Sequence, residues 1–327
     1  MTGRVLVTGA SGGLGLSLVE ALTRDGRSVT ATGRRAGTDP RLCAAGVRYL
    51  RADLTDPVAG AALCEDVETL FHAAALSSPW GPRQRFEQAN VAATRHLLEH
   101  AAHAGVRTFV FVSSPSIYAQ MQDRVRISDH DPPARRPLNH YARTKLSAER
   151  LVLAADGPMR TVAIRPRAIV GPDDTVLLPR LIELVRRRAV PLPRGGRALV
   201  EFTDVADVVT ALLLAERHAD AAHGSAVNIS GGQPVSVREV ASGLAEALNR
   251  VGRRISVPMP IARALAWITE GVYRVLPGLG EPRLTRYALA TLSYSQTFDL
   301  DRARRILHWQ PTQDGFATLL REAKRCR

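Results

Sequence analysis

Cysteine is scarce in this sequence, and its scarcity excludes two classes of small domain. The 327-residue chain has three cysteines, Cys43, Cys64 and Cys326, which are far apart and form no CxxC pair. A disulfide framework or a zinc ribbon needs an even number of closely spaced cysteines. The pattern indicates incidental thiols in a reducing compartment.

The start of the sequence also lacks a leader pattern. An apolar strand pattern follows Met1-Thr2-Gly3-Arg4 at once, with no charged region, apolar region and cleavage site in succession. Together with the thiols, this favours a cytoplasmic protein.

Lysine and aromatic residues are nearly as scarce, although the chain is strongly basic. Only Lys145 and Lys324 of the 44 basic residues are lysine, and aromatics make up 5% of the chain. The formal charge of +13 attracts phosphate-bearing ligands, anionic membranes or nucleic acid, but coding bias is the simplest explanation of so much arginine. Because no basic run is long or interleaved with aromatics, we expect no nucleic-acid partner.

Short strand patterns alternate with helical patterns along the first half of the chain. The helical segments include 14–24 and 91–104. The strand patterns are 5–8, 28–32, 47–50, 69–71, 108–112 and 161–164. This alternation predicts an α/β fold, a doubly wound parallel sheet with helices on both faces.

A glycine-rich turn follows the first strand and opens the first helix, reading Thr8-Gly9-Ala10-Ser11-Gly12-Gly13-Leu14-Gly15. Glycines there permit a tight turn, let the backbone approach a pyrophosphate and leave room for close helix–strand packing. The turn predicts a Rossmann domain that binds a dinucleotide. The predicted contacts are Gly9, Ser11, Gly12, Gly13, Leu14 and Gly15.

The end of the second strand bears on which dinucleotide is bound. An acidic residue there bonds the adenosine ribose, whereas arginine accommodates a 2′-phosphate. The sequence reads Gly33-Arg34-Arg35, without Asp or Glu. It favours NADP (NADPH), and NAD is the alternative if Arg34 and Arg35 are only two of many arginines.

Proline and glycine become frequent after Gly171, where strand patterns thin out. Segments 202–215 and 226–229 still resemble a helix and a strand. We expect a dinucleotide-binding domain over 1–170, rejoined by about 200–230. The remaining segments, 171–199 and 231–327, are expected to form a smaller, mostly helical substrate-binding domain.

Tyr141 and Lys145 are four residues apart, on one face of a helix that Asn139 can cap. The pKa of a free tyrosine is about 10, so proton exchange near neutrality needs a nearby cation, which Lys145 can supply. Ser114 ends a strand about one helix length earlier, at the sheet edge where such folds bind ligands. Its hydroxyl can hold a substrate oxygen.

Together these motifs identify the chain as a member of the extended short-chain dehydrogenases/reductases, within the NAD-dependent epimerase/dehydratase superfamily. Further matching motifs are Asp53-Leu54, His72-Ala73-Ala74-Ala75, Asn90-Val91, Arg165-Pro166, 202–207 and Phe298-Asp299-Leu300. The resemblance implies that Tyr141 is the catalytic acid/base, that Lys145 also holds the nicotinamide ribose, and that Ser114 orients the substrate oxygen. The other cofactor contacts that it implies are Asp53, Leu54, Ala73, Ala74, Ala75, Asn90, Pro166 and Ile169. It also implies a homodimer through the helices around 90–104 and 141–154.

Departures from the sugar-modifying members point to another branch. Nucleotide-sugar epimerases of the family carry an arginine where this chain has Val200, and 4,6-dehydratases carry an Asp-Glu pair where it has Pro115-Ser116. Segments 77–82, 113–116 and 200–203 are instead similar to the 3β-hydroxysteroid dehydrogenase-like branch.

We therefore expect an NADP-dependent ketoreductase or alcohol dehydrogenase. Its expected substrate is an apolar small molecule such as a steroid-like, polyketide-like or long-chain keto compound. A redox-neutral nucleotide-sugar epimerase and a non-catalytic dinucleotide-binding protein are the alternatives. The expected substrate contacts are Ser77, Trp80, Ser116, Tyr118 and Arg167.

Two further patterns carry weaker signals. His96, His100 and His103 share a helix face at a spacing that can hold a metal. No carboxylate or cysteine partner is obvious nearby, so we expect a solvated or interfacial face and no metal. An apolar stripe over 261–276 contains three charges and is unlike a transmembrane helix. We expect this stripe to form a lid or wall of the substrate pocket. An interfacial membrane helix and core packing are the alternatives.

Overall fold

A seven-stranded sheet lies at the centre of the computed structural model, which describes residues 3–35, 39–187, 189–250, 253–276, 280–282 and 284–326. All neighbouring strands of this sheet are parallel. In spatial order they are β12 (Ser225–Ile229), β7 (Arg160–Pro166), β5 (Thr108–Val112), β4 (Val67–His72), β1 (Arg4–Thr8), β2 (Val29–Gly33) and β3 (Arg48–Arg51). The strand order reverses between β1 and β4, which is where such sheets bind ligands at their carboxyl edge. The predicted doubly wound sheet is confirmed.

The central strands β1, β4 and β5 are buried on both faces, because their sequences are mostly apolar. Successive residues of β1 alternate between the faces: Val5 and Val7 belong to one apolar cluster and Leu6 to another. The helices of the sheet layer are α1 (Gly13–Arg24), α2 (Pro40–Ala44), α3 (Ala59–Cys64), α4 (Arg83–Phe86), α5 (Ala93–His103), α6 (His140–Leu153), α8 (Val205–Arg217) and α9 (Ala219–Ala222). Helices α1 and α8 pack together on one face, and α3, α5 and α6 pack together on the other.

Two predicted helices begin differently from the expectation. The helix expected over 91–104 starts as a π-helical segment, Glu87–Ala92, before α5. The helix expected over 202–215 starts only at Val205, because Thr203 and Asp204 form a short strand first. The Asp204 carboxylate then caps α8 by accepting from the backbone N–H of Ala206 at 2.8 Å.

A third apolar cluster joins elements from the later part of the chain. It is built mainly from α7 (Leu178–Val185), β9 (Ala189–Pro193), α10 (Val237–Ala247) and α14 (Gly315–Arg325). Four two-stranded sheets pair β9 with β14 (Arg253–Val257), β8 (Ile169–Val170) with β11 (Thr203–Asp204), β10 (Leu199–Val200) with β13 (Val235–Ser236), and β6 (Arg124–Ile127) with β15 (Gln296–Phe298). The remaining helices are α11 (Met259–Val275), α12 (Arg286–Ser293) and α13 (Asp301–Leu307). The later part of the chain therefore contains more short strands than the sequence suggested.

Candidate active site

A cavity of about 1060 Å³ runs along the carboxyl edge of the sheet. One part, here called the glycine-rich half, is lined by residues within 9–17, 32–35, 52–55 and 73–77. The other part, the apolar half, is lined by residues within 176–192, 237–244 and 287–292. Tyr141 and Lys145 also line the cavity.

The turn after β1 has a geometry that larger residues would block. Gly9 has φ +71°, and a Cβ there would lie 2.7 Å from the backbone N of Ala74. A Cβ on Gly15 would lie 2.3 Å from the carbonyl O of Gly9. Because Gly12 is the N-cap of α1 and has no side chain, the first N–H groups of the helix have no side-chain cap. A turn with close backbone approach and an uncapped helix N-terminus suits a diphosphate.

Arginines gather at the carboxyl ends of β2 and β3. Arg34 and Arg35 are exposed, line the cavity and form no ion pair within the described ranges. Arg51, which does not line the cavity, donates from Nε to the Arg34 carbonyl O at 3.2 Å. Hydrogen bonds from Thr55, together with the charge of Arg34, hold the pKa of Asp53 below its usual value.

Helix α6 places Tyr141 and Lys145 on the cavity wall. The Asn139 side chain caps the helix by accepting from the backbone N–H of Ala142 at 2.8 Å, so Tyr141 lies in its first turn. The Lys145 side chain is 2% exposed, and its Nζ donates to the carbonyl O of Val112. Burial lowers the pKa of Lys145 to about 7.

Ser114 and Ser77 approach the Tyr141 phenol. Burial raises the pKa of Tyr141, and hydrogen bonds with Ser114 and Ser77 oppose that effect. Ser114 is held at the end of β5 because its Oγ accepts from the backbone N–H of Ser116 at 3.2 Å. The predicted effect of Lys145 on the Tyr141 pKa stays a prediction, because burial and the two serines are the influences on this phenol in the described structure.

Most of the predicted cofactor and substrate residues line this cavity. They are Gly9, Ser11, Gly12, Gly13, Leu14, Gly15, Arg34, Arg35, Asp53, Leu54, Ala73, Ala74, Ala75, Pro166, Ile169, Ser77, Ser116 and Arg167.

Three predicted site residues lie elsewhere. The Asn90 carboxamide accepts from the Leu76 N–H at 2.7 Å and donates to the Thr144 hydroxyl at 3.0 Å, so it joins the loop after β4 to α6. Tyr118 is 1% exposed and accepts a hydrogen bond from Arg165 in the interior. Trp80 lies in a loop turn closed by the Ser78 hydroxyl and does not line the cavity. Neither of the two aromatic residues predicted to contact the substrate lines the cavity.

Aliphatic side chains dominate the apolar half. They come from α7, β9, α10 and α12, which are far apart in the chain. Representative lining residues are Leu181, Leu184, Leu192, Val240, Leu244 and Leu292. Glu201 and Tyr287 also line the cavity and were missed from the sequence. Glu201 was detectable as an acid within the apolar run 199–202, whereas no local pattern marks Tyr287.

The apolar stripe of α11 does not form the expected lid or wall. None of the described residues in 259–276 lines the cavity. Helix α11 packs on α12 and buries Ala262 and Ala266, while Trp267 and Ile268 remain 61% and 62% exposed. No helix in the described ranges combines the length and apolarity needed to cross a bilayer.

Two of the three histidines of α5 bond to backbone carbonyl groups, and the buried Nδ1 of His96 has no hydrogen-bond partner in the described ranges. His100 bonds to the Pro57 carbonyl O at 2.7 Å, and His103 bonds to the Glu99 carbonyl O at 2.7 Å. Across the described residues, no group of three or more His, Cys, Asp or Glu side chains is arranged to hold a metal ion.

Comparisons with known proteins agree with this geometry. The family model described as the NAD dependent epimerase/dehydratase family matches residues 5–230. A 4-hydroxy-2-methyl-3-oxo-4-farnesyl-3,4-dihydroquinoline-1-oxide ketoreductase of Stigmatella aurantiaca is 34% identical over 311 residues, covering 93% of this chain and 91% of the relative. A 2-alkyl-3-oxoalkanoate reductase of Stenotrophomonas maltophilia is 34% identical over 316 residues, covering 94% of each chain. Further relatives bear 3β-hydroxysteroid dehydrogenase names, including one of Mycobacterium tuberculosis at 31% identity.

A solved structure shares the same fold. MoeE5 in complex with UDP-glucose and NAD has a TM-score of 0.75 and 30% sequence identity to this chain, over 99% of both chains.

Proposed function

Because the chain belongs to the NAD-dependent epimerase/dehydratase family, as an NAD(P)-dependent short-chain dehydrogenase/reductase that acts on hydroxyl and keto groups, we propose that it is an NADP-dependent ketoreductase. Its proposed substrates are apolar keto compounds of the steroid-like, polyketide-like or long-chain type. The observation that carries the proposal is that Tyr141 and Ser114 line one cavity together with the glycine-rich half and the apolar half. The phenol interacts with Ser77 of the glycine-rich half and with Tyr287 of the apolar half.

The residues of the glycine-rich half fit a dinucleotide. The uncapped start of α1 suits the diphosphate, and Asp53 with Ala73–Ala75 are proposed to hold the adenosine and the linking groups. Arg34 and Arg35 support a preference for NADP, because neither is neutralised by an ion pair in the described part of the chain and a 2′-phosphate pairs well with guanidinium. When bound, the nicotinamide exchanges hydride with the substrate carbon.

In the proposed reduction, Tyr141 donates its proton to the substrate oxygen, and it accepts that proton back in the reverse direction. Burial favours the protonated phenol, which is the form that a proton donor needs. The Ser114 hydroxyl holds the same oxygen. Because the pKa of Lys145 is about 7, its positive charge is present below neutrality and is lost above it.

A nucleotide-sugar epimerase is less well supported. The apolar half is lined mainly by aliphatic side chains, and the basic residues that line the cavity outside the glycine-rich half are Arg167 and Lys145. A sugar nucleotide brings a diphosphate and several hydroxyls, which need more polar partners than this lining offers. The same lining supports assigning substrate binding to 171–199 and 231–327, and dinucleotide binding to 1–170 with about 200–230.

The test follows nicotinamide absorbance with NADPH or NADH against a panel of long-chain and polycyclic ketones. We expect NADPH oxidation that depends on the ketone, and a loss of at least about 100-fold in kcat for Tyr141→Phe. Tyr273→Phe is the matched control, because Tyr273 lies on α11 outside the cavity. Conversion of a UDP-sugar without net cofactor turnover would instead establish the epimerase alternative.

A further inference from the structure

Two buried arginines near the end of β7 have opposite surroundings. Arg165 is 7% exposed, and its guanidinium donates to both oxygens of Glu149 at 2.8 and 2.6 Å. Arg167 is 8% exposed, but no acidic side chain lies within ion-pair distance in the described part of the chain. Its Nε is buried and has no hydrogen-bond partner there. One arginine is therefore neutralised by the protein, and the other is not.

The backbone holds Arg167 firmly in this position. Its N–H donates to the Ile229 carbonyl O at 2.8 Å, and its carbonyl O accepts from the Thr203 hydroxyl. The guanidinium carbon lies 6.0 Å from the centre of the Phe298 ring. Arg167 lines the cavity, and its terminal guanidinium nitrogens make no hydrogen bond within the described ranges, so these donors are available to a ligand.

One acidic side chain, Glu201, acts on Arg167 but does not form an ion pair with it. Glu201 attracts Arg167 and lines the same cavity, but its Oε2 already accepts from the Ser230 hydroxyl. Burial also raises the pKa of Glu201, which weakens it as a counter-charge. A buried guanidinium with five donors is satisfied best by a planar anion that accepts two parallel hydrogen bonds.

Tyr287 connects this arginine to the reacting group. Burial raises the pKa of Tyr287, and the positive charge of Arg167 opposes that effect. Arg167, Tyr287 and Tyr141 all line the same cavity. A ligand whose oxygen meets Tyr141 can place a second polar group at Arg167.

We infer that Arg167 binds a carboxylate of the substrate, so that the preferred substrates are oxo acids rather than neutral ketones. The inference rests on the proposed ketoreductase function and narrows its substrate class. Arg167 carries a single charge, which matches one carboxylate, while the aliphatic lining takes the hydrocarbon chain.

The test uses the alcohol direction, in which the substrates are chemically stable. NADPH formation is followed with NADP⁺ and either 3-hydroxydecanoate or its methyl ester, which differ only in the charge of one group. We expect kcat/KM of the wild type to favour the acid by about 10- to 100-fold, which is typical of charge-assisted hydrogen bonds. Arg167→Met is expected to remove this preference through KM, and Arg167→Lys to retain part of it. Arg217→Met, an exposed residue of α8, is the control and should keep the full preference.

A binding measurement separates this inference from the proposed function. Decanoate, which cannot react, should raise the Tm of the NADP⁺-loaded wild type, and it should fail to do so with Arg167→Met. Equal use of acid and ester by the wild type, with no decanoate effect on Tm, would overturn the inference and leave the ketoreductase intact. Protection by decanoate, without turnover of either alcohol or of any ketone in the panel above, would support the carboxylate site and overturn the ketoreductase.

Discussion

The two halves of the cavity are built in different ways. The glycine-rich half consists of short segments that leave neighbouring strands of the sheet, and its shape depends on the backbone: Gly9 has φ +71° and stands against Ala74. The apolar half consists of side chains from α7, β9, α10 and α12, which meet only through tertiary packing. Substitutions in the first half should therefore disturb the fold and cofactor binding together. Substitutions in the second half should change substrate preference while the sheet stays intact.

The largest expected effect comes from breaking the backbone of the glycine-rich half. Gly9→Ala must place a Cβ 2.7 Å from the Ala74 N at a φ of +71°. We expect left-handed strain and crowding to cost together about 3 kcal/mol in unfolding free energy. Because the strained turn is also the expected diphosphate site, we expect NADPH affinity to fall roughly 100-fold as well. Urea unfolding and a fluorescence titration with NADPH measure the two quantities.

Gly26→Ala is the matched control for this effect. Gly26 has φ +72°, but a Cβ there would meet no atom within 4 Å. It should show only the strain of about 1–2 kcal/mol and keep its NADPH affinity. Equal losses of affinity in both variants would show that crowding at Gly9 is irrelevant.

The charge of the glycine-rich half is tested by a double substitution, Arg34→Ser with Arg35→Ser. If these side chains bind a 2′-phosphate, NADPH affinity should fall by about 10- to 100-fold, while NADH affinity stays the same. Arg48→Ser, at the opposite end of β3, controls for the loss of positive charge. A parallel loss of affinity for both cofactors would contradict the proposed NADP preference.

Acid should destabilise the glycine-rich half through His72. This ring is buried between the hydroxyls of Thr8 and Thr94, at 2.7 and 2.9 Å, and burial lowers its pKa from 6.5 to about 3. Below pH 6.5 the His72 ring binds a proton in the unfolded chain but not in the folded protein. The unfolding free energy therefore decreases as the pH falls from 6.5 towards 3. The expected loss is about 2 kcal/mol at pH 5.

Thermal melts at pH 7.5 and 5.0 measure this effect. His72→Gln should show a smaller decrease in Tm between the two pH values than the wild type does. His103→Gln, which changes an exposed ring, should behave as the wild type. If His72→Gln loses as much stability in acid as the wild type, the destabilising proton binds elsewhere.

The smallest expected effect belongs to the apolar half. Leu181→Ala removes part of the aliphatic lining, and the lost contact of about 1 kcal/mol should raise KM for a long-chain substrate about 5-fold. NADPH affinity and Tm should change little. Leu265→Ala, on the exposed face of α11, is the control. A fall in NADPH affinity in Leu181→Ala would show that the two halves are not independent.

The sheet was predictable from sequence because buried parallel strands leave a strong local pattern. The strand expected over 108–112 has the bounds Thr108–Val112, and the other predicted strands of the sheet lie within two residues of the observed ones. The Asn139 cap was predictable for a similar reason, since a cap acts within three residues of its helix.

The aromatic substrate contacts were not predictable in the same way. Tyr118 follows Ser114 closely in sequence, yet its side chain is buried with Arg165 instead of facing the cavity. Which way a side chain points after a strand ends depends on the groups that other elements bring to it. The same holds for the stripe of α11, whose period shows an apolar face but not what that face packs against.

The sequence by itself determined the doubly wound sheet, the glycine turn and the placement of Ser114, Tyr141 and Lys145 at one edge, because each depends on spacing within short segments. Only the tertiary structure decided which residues surround the apolar half, and that Arg165 is neutralised while Arg167 is not. The physical reason is that burial and charge pairing depend on contacts between segments far apart in the chain. Local patterns do not specify those contacts.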